Sequence, residues 1–126
     1  MKAREQAEKA LAKEPENPSG RLLMSSVFLS EKNLNGAAAE AKKAIALDPK
    51  RIDSHLHLAN IYLIQNNLAG AEAAFKEAIA IDEKATQARY SLGEFYRRTG
   101  KTKEAEAQFV EVTRINPKDV NAWMNL

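Results

Sequence analysis

Cysteine is absent from this sequence, and its absence excludes several kinds of chemistry at once. Without a thiol, the chain can have no disulfide framework, no thiolate nucleophile and no zinc–thiolate site. Apolar runs are also short. No stretch approaches the roughly 18 consecutive apolar residues that a transmembrane helix needs. We therefore expect no membrane span. The content of 44% hydrophobic and 29% charged residues is typical of a folded globular protein.

Charge of either sign is in little excess. The formal net charge of +2 is too small to indicate a nucleic-acid footprint, so nucleic acid is not an expected partner. The isoelectric point near 8.9 permits a weak attraction to acidic partners. The lack of cysteine fits any cellular compartment, so the sequence does not indicate localisation.

Residues for catalysis or metal binding are also scarce. The two histidines, His55 and His57, are spaced so that a helix would point them to different faces, and joint metal ligation is disfavoured. Gly100, Lys101 and Thr102 resemble the end of a phosphate-binding loop, but that motif needs glycine where this chain has Phe95. A turn between helices is the simpler interpretation. The sequence predicts no enzyme, no cofactor and no metal site.

What the sequence does contain is a spacing of 34 residues that recurs along the chain. Pro15, Pro49 and Pro117 lie on this spacing, and Glu83 occupies the missing place in the series. Small and aromatic residues recur with the same period, as in Ala3, Ala37, Ala71 and Ala105, and in Phe28, Tyr62 and Tyr96. A fixed period of this length is the signature of a helical repeat array.

These columns resemble the tetratricopeptide repeat. The best matching stretch has Leu92, Gly93, Tyr96, Ala105, Phe109 and Pro117. The resemblance implies an all-α fold, a right-handed α-solenoid of antiparallel helix pairs. It places three complete repeat units at 18–51, 52–85 and 86–119. Residues 1–17 would be the second helix of a preceding repeat and residues 120–126 the start of a following one. We therefore expect the chain to be a segment of a longer array.

Local signals predict where the helices start and stop. Asn17 is expected to cap a helix that has Pro18 in its first turn, and Asp119 is expected to cap the final helix. Breaks within the helix pairs are predicted at 33–36, 66–70 and 99–103, which are rich in residues that leave helices easily.

In the tetratricopeptide family, ligands contact the first helix of each unit on its concave side. Carried over to this chain, the resemblance implies a peptide-binding groove formed by Leu22, Ser26, Leu29, Asp53, Leu56, Asn60, Leu63, Ile64, Gln87, Tyr90, Glu94, Arg97 and Arg98. Its apolar members, Leu56 among them, would form a strip that the core does not need. The alternative is that these side chains fill gaps between adjacent first helices.

Arg97 and Arg98 would orient an acidic flank of the partner, because arginine binds carboxylates bidentately. The alternative is that both arginines complement the dipole at a helix C-terminus. The chaperone-binding members of the family hold a C-terminal carboxylate with lysine, asparagine and arginine. The matching residues here lack the positive charge, so a chaperone-tail receptor is not expected; they are Leu22, Ser26, His57, Gln87 and Ser91.

The resemblance thus implies a non-enzymatic scaffold that binds a protein or peptide, apolar with an acidic flank, in the concave groove. The alternative is a structural spacer whose ends stack on further repeats or on a second copy. That alternative predicts self-association that depends on Trp123 and Leu126.

Overall fold

The computed structural model describes residues 2–125, and all regular structure in that range is α-helical. The helices are α1 (Lys2–Lys13), α2 (Pro18–Ser30), α3 (Leu34–Leu47), α4 (Ile52–Ile64), α5 (Leu68–Ile81), α6 (Thr86–Arg98), α7 (Thr102–Ile115) and α8 (Val120–Met124). The chain divides into two compact units, and the division falls within α5, between Ala74 and Phe75. These are the first and the second unit, and they differ from the 34-residue repeat units of the sequence.

In the first unit, consecutive helices pack against each other from α1 to α4, and α2 also contacts α4. One core cluster contains Ala7, Met24 and Val27, and a second contains Ala37, Ala38, Ala41, Leu58 and Ile61. The many alanines allow the helix axes to approach closely, because a methyl group adds little width to a helix. The partly buried rings of Phe28 and Tyr62 fill the remaining space.

In the second unit, α6 packs on α7, and α7 packs on α8. Phe75 and Phe109 are almost fully buried. The centroid of the Phe75 ring lies 6.0 Å from that of Phe95. A Cβ atom on Gly93 would lie 2.9 Å from the Phe109 ring, so glycine allows α6 to approach α7 at this point.

The predicted helix caps are confirmed. The Asn17 side chain accepts a hydrogen bond from the backbone N–H of Ser19, and Pro18 follows it in the first turn of α2. The Asp119 carboxylate accepts from the N–H of Ala122 at the start of α8. These bonds satisfy backbone donors that have no partner within the helix.

The breaks within the helix pairs are shorter than the sequence suggests. Helices α3 and α5 already begin at Leu34 and Leu68, so Gly36 and Gly70 lie in their first turns. The Asn33 side chain accepts from the N–H of Gly36 at 3.0 Å, and a Cβ on Gly36 would come within 2.6 Å of that amide. Glycine is therefore needed for the close approach of the capping side chain rather than for a turn.

A left-handed residue lies at the same place in each of the three turns. Lys32, Asn66 and Gly100 have φ angles of 62°, 60° and 81°, and they are 34 residues apart. The backbone therefore repeats more regularly than the residue types that occupy it.

A side-chain hydrogen bond also recurs near the starts of α2, α4, α6 and α8. Arg21 and Arg89 donate to the carbonyl groups of Pro15 and Glu83, and the ring nitrogen Nε2 of His55 lies 3.0 Å from the carbonyl of Pro49. In α8, the indole N–H of Trp123 donates to the carbonyl of Pro117 at 2.8 Å. Each bond joins residues six apart and ties a helix to the turn before it.

Helices α2, α4, α6 and α8 begin at Pro18, Ile52, Thr86 and Val120. The assignment of residues to separate repeat units, and of the terminal stretches to truncated repeats, stays a prediction.

Candidate functional site

The predicted groove residues of the first unit all belong to α2 and α4, and we call this set the first-unit face. It contains Leu22, Ser26, Leu29, Asp53, Leu56, Asn60, Leu63 and Ile64. Four of its side chains are exposed: Ser26, Asp53, Asn60 and Ile64. Ile64 is 60% exposed, which is high for a large aliphatic residue. Leu22, Leu29 and Leu63 are partly buried, so they combine core packing with accessible apolar surface.

Leu56 is the exception within this set. The sequence interpretation places it on a strip that the core does not need, but only 8% of its surface is exposed, close to the 7% of the core residue Leu58. That part of the interpretation is wrong for Leu56, because its side chain is part of the packed interior. A charged substitution there would bury a charge and disturb the fold as well as the face.

Asp53 has its charge balanced within the first unit. Both of its carboxylate oxygens accept from the Arg51 guanidinium, at 3.1 and 2.6 Å, and Arg51 also donates to the Ser19 hydroxyl at 2.9 Å. The hydrogen bond and charge of Arg51 hold the pKa of the Asp53 carboxyl below its usual value. The three residues connect the starts of α2 and α4.

His57 lies beside the first-unit face and bonds to a residue that the sequence interpretation missed. Its Nε2 atom is 2.9 Å from the hydroxyl of Ser25, which itself donates to the carbonyl of Ala37 at 2.7 Å. Because Ser25 uses its own hydrogen in that bond, the imidazole is the donor. Burial lowers the pKa of His57, and the nearby carboxylate of Asp53 partly opposes this shift. The signal in the sequence was the hydroxyl of Ser25, because the residues 34 and 68 positions later, Ala59 and Gly93, have no polar side chain.

The predicted groove residues of the second unit belong to α6, and we call them the second-unit face: Gln87, Tyr90, Glu94, Arg97 and Arg98. Gln87, Arg97 and Arg98 are exposed, while Tyr90 and Glu94 are partly buried. The Tyr90 ring meets that of Phe109 edge-on at 5.4 Å, and its hydroxyl accepts from the Asn125 amide at 3.0 Å. These contacts orient Tyr90.

The two arginines of this face differ in their surroundings. Arg97 forms an ion pair with Glu94, with 2.6 Å between Nη2 and Oε2. Both arginines lie in the last turn of α6, where a positive charge also complements the helix dipole. Glu94 is thus paired with Arg97 and not with Arg98.

A shallow cleft of about 240 Å³ opens beside Gln87 and Tyr90. Each lining residue has a polar side-chain group, and Asp119 supplies the one carboxylate; the remaining residues are Thr86, Ser91 and Asn121. Ser91 and Asn121 were not among the predicted groove residues, although they belong to the same cleft. An uncharged hydrogen-bonding group of a ligand fits this lining better than a second carboxylate, because a nearby like charge is repelled.

Gly100 and Lys101 lie in the turn between α6 and α7, Thr102 is the first residue of α7, and Phe95 lies within α6. The turn interpretation is therefore confirmed. Within residues 2–125, no three or more histidine, aspartate or glutamate side chains are grouped so that they could hold a metal ion. No helix in that range is both long enough and apolar enough to cross a membrane.

Two family models match the chain, and both describe the tetratricopeptide repeat. One covers residues 62–126, which is more than half of the sequence, and the other covers residues 1–52. The chain belongs to the tetratricopeptide repeat family. No curated protein matches the sequence at a significant level.

Solved structures agree with this assignment. The crystal structure of MamA is 23% identical with a TM-score of 0.78, and the match covers 94% of this chain and 70% of that one. A thermophilic TPR protein of Thermus thermophilus, TTC0263, is 24% identical with a TM-score of 0.83, and the match covers 95% of this chain and 67% of that one. A second MamA structure has 23% identity, a TM-score of 0.76 and coverage of 94% and 65%. This chain therefore spans 65% to 70% of the length of the three solved chains.

At these identities the likeness concerns the fold, and it confirms the predicted class, an α-solenoid of helix pairs. Tetratricopeptide repeat proteins are generally non-enzymatic scaffolds for protein–protein interaction. This chain has the fold that generally serves as such a scaffold.

Proposed function

We propose that this chain is a receptor for a peptide or helix of a partner protein, bound by the exposed and partly buried residues of the first-unit face. The observation that carries the proposal is the exposure of Ile64, 60%, between partly buried leucines on helices that otherwise bury their large aliphatic side chains. An accessible apolar surface with polar neighbours is typical of a contact site. Covering the exposed 60% of Ile64 would contribute about 1–2 kcal/mol to the binding of a partner.

The second-unit face supports recognition of an acidic flank, and Arg98 is the residue that we assign to it. Arg97 has its charge matched by Glu94, so an acidic ligand would compete with an existing ion pair there. An exposed arginine can bind a carboxylate through two parallel hydrogen bonds.

An affinity capture from the lysate of the source organism tests the proposed receptor. We expect a partner that is retained by the unmodified chain and lost with Ile64→Glu, because the new charge would have to be desolvated against an apolar ligand. Leu68→Glu is the matched control, since Leu68 is also exposed, at 43%, but lies on α5 outside the predicted groove. Equal capture by all three proteins would contradict the groove.

Self-association is a second candidate function, and the exposed apolar side chains of α8 favour it. Val120, Trp123 and Met124 are 66%, 54% and 78% exposed. The indole N–H of Trp123 is satisfied by Pro117, so the ring offers apolar surface without an unpaired donor. Leu126, which was predicted to take part, lies outside the described residues.

Sedimentation velocity distinguishes the two functions. If copies associate through α8, the sedimentation coefficient should rise with protein concentration. The Trp123→Ser variant should instead sediment as a monomer. A sedimentation coefficient that stays constant up to high concentration would exclude this candidate and leave the receptor proposal unaffected.

A further inference from the structure

Asn35 is followed by Gly36, and this pair of residues can react with itself. The other asparagines of the chain are followed by larger residues or by proline. The backbone nitrogen of the residue after an asparagine can attack the side-chain carbonyl carbon Cγ, and glycine leaves that nitrogen unhindered because it has no Cβ. The pair therefore places a nucleophile and an electrophile on adjacent residues.

The reaction of this pair is a deamidation. The Gly36 nitrogen loses its proton and forms a C–N bond to Asn35 Cγ, the side-chain amide nitrogen leaves as ammonia, and a cyclic imide results. Water then opens the ring to aspartate or to isoaspartate, whose main chain is longer by one methylene group. Water is the only co-reactant, and it has access because Asn35 is exposed.

The fold holds both reacting groups in an unreactive arrangement. Asn35 and Gly36 lie in the first turn of α3, and the N–H of Gly36 donates to the Asn33 side chain at 3.0 Å. That hydrogen bond engages the proton that the nucleophile must lose. The Asn35 carboxamide oxygen accepts from Gln65 Nε2 at 3.3 Å. A helical backbone also directs the Cβ of Asn35 toward the helix N-terminus, away from the nitrogen of the next residue.

The reaction therefore requires the first turn of α3 to open. The ends of helices open locally at a smaller cost in free energy than the whole fold does. Loss of the Asn33 cap would make this opening easier, because a backbone donor of the first turn would lose its partner. The strength of the cap then determines how often Asn35 can react.

We propose that Asn35 is a deamidation site whose rate is controlled by the Asn33 cap of α3. The product has a negative charge that the unmodified side chain lacks. Aspartate keeps an acceptor for Gln65 and complements the dipole at the start of α3, whereas isoaspartate displaces the backbone of the first turn. The proposal does not depend on the receptor function.

Mass spectrometry of the full chain, incubated at mildly alkaline pH and physiological temperature, tests the proposal. Trypsin cleaves after Lys32 and Lys42, so fragmentation of the peptide 33–42 measures the fraction modified at residue 35. A synthetic peptide 33–42 is the unfolded reference, since it is too short to form a stable helix in water. We expect deamidation of Asn35 to be slower in the chain than in the peptide by about tenfold or more. Asn33→Ala should accelerate it in the chain by about fivefold.

Asn67→Ala is the matched control, because Asn67 caps α5 through the same bond, which the N–H of Gly70 donates at 3.0 Å. It should leave the rate at Asn35 unchanged. Asn33→Asp retains a capping oxygen and should keep the reaction slow. Equal rates in the chain and the peptide, or an unchanged rate with Asn33→Ala, would overturn the proposal. Equal acceleration by the two alanine variants would also overturn it, because global unfolding rather than the α3 cap would then limit the reaction.

Discussion

Ser25 and Ser54 are both fully buried, but their hydroxyl groups have opposite surroundings. Ser25 donates to the carbonyl of Ala37 and accepts from His57, whereas Ser54 Oγ has no hydrogen-bond partner among the described residues. A buried hydroxyl without a partner costs free energy, because it has lost its bonds to water.

We expect the same substitution to have opposite effects at the two serines. Ser54→Ala should raise the free energy of unfolding by about 1 kcal/mol, because it removes an unsatisfied hydroxyl from a site that accepts a methyl group. Ser25→Ala should lower it by about 1–2 kcal/mol, because the His57 and Ala37 groups lose their partner. Urea denaturation of both variants measures this, and two changes of the same sign would contradict the hydrogen-bond assignment.

Lys32 has a backbone conformation that suits other residues better. Its φ of 62° is in the left-handed region, where a Cβ atom costs about 1–2 kcal/mol, and the equivalent turns use Asn66 and Gly100. Lys32→Gly should therefore raise the free energy of unfolding by about 0.5–1 kcal/mol, after the greater flexibility of glycine in the unfolded chain is subtracted. Thermal denaturation provides the measurement. Lys32→Ala is the control: it removes the charge but keeps the Cβ, so an equal gain with alanine would show that strain is not the cause.

The recurring bond to the preceding turn explains how dissimilar residues share one position. The family favours tryptophan there, and Trp123 uses its indole N–H. Arg21, His55 and Arg89 also reach the carbonyl six residues earlier through a side-chain nitrogen. The shared property is a nitrogen of sufficient reach rather than an aromatic ring.

Helices α3, α5 and α7, the second helices of the predicted pairs, end without a need for proline. Helices α3, α5 and α7 end at Leu47, Ile81 and Ile115, although proline follows shortly after only the first and third. In each case the side chain of the next residue accepts from the backbone N–H two residues further on: Asp48 from Lys50, Asp82 from Lys84 and Asn116 from Lys118. This turn stabilises the exit from the helix and is common to all three.

Proline at position 83 should then stabilise a turn that already exists. Glu83→Pro should raise the free energy of unfolding by about 0.4–1 kcal/mol, because it restricts the unfolded chain, and Pro49 and Pro117 occupy the equivalent position. The carbonyl of residue 83, which accepts from Arg89, is retained. The change is measured by urea denaturation with Glu83→Ala as the control for the lost carboxylate. Destabilisation by proline would indicate that the backbone of this turn differs from the other two.

Four titratable groups spread over the molecule, Glu31, Asp53, His57 and Glu111, lose protons more readily in the folded state. Hydrogen bonds from arginine lower the pKa of Glu31, Asp53 and Glu111, and burial lowers that of His57. For each group the unfolded chain binds the proton more tightly. Their contribution to stability is therefore present above the unfolded pKa and is lost as the pH falls through the folded one.

We expect the free energy of unfolding to decline in two stages on acidification. The first begins below about pH 6.5, where histidine of the unfolded chain takes up a proton, and the second begins below about pH 4.5, where the carboxylates do. His57→Gln keeps an N–H donor for Ser25 without a titrating group, so it should abolish the first stage and leave the second. Urea denaturation from pH 8 to pH 3.5 in both proteins is the measurement, and a first stage that persists in the variant would rule out His57 as its source.

The candidate site could be predicted from the sequence only in part. The 34-residue period assigned Ile64, Asn60 and Gln87 to the first helices, and all three are exposed there. Period alone could not distinguish Leu56, which is buried, from Leu22 and Leu63, which are partly accessible. Nor could it show that Arg51 balances Asp53, because that ion pair depends on how the turn before α4 positions both side chains.

The family, the helical class and most helix boundaries could be established without a structure, because these depend on local preferences and on a period that repeats along the chain. Asn17, Pro18 and Asp119 act through neighbours a few residues away, so their roles can be read without a structure. Tertiary structure decided which groove residues are free to bind. Exposure and pairing arise between helices that are distant in sequence, as in the bond between Ser25 and His57, and no local pattern records which side chains such packing brings together.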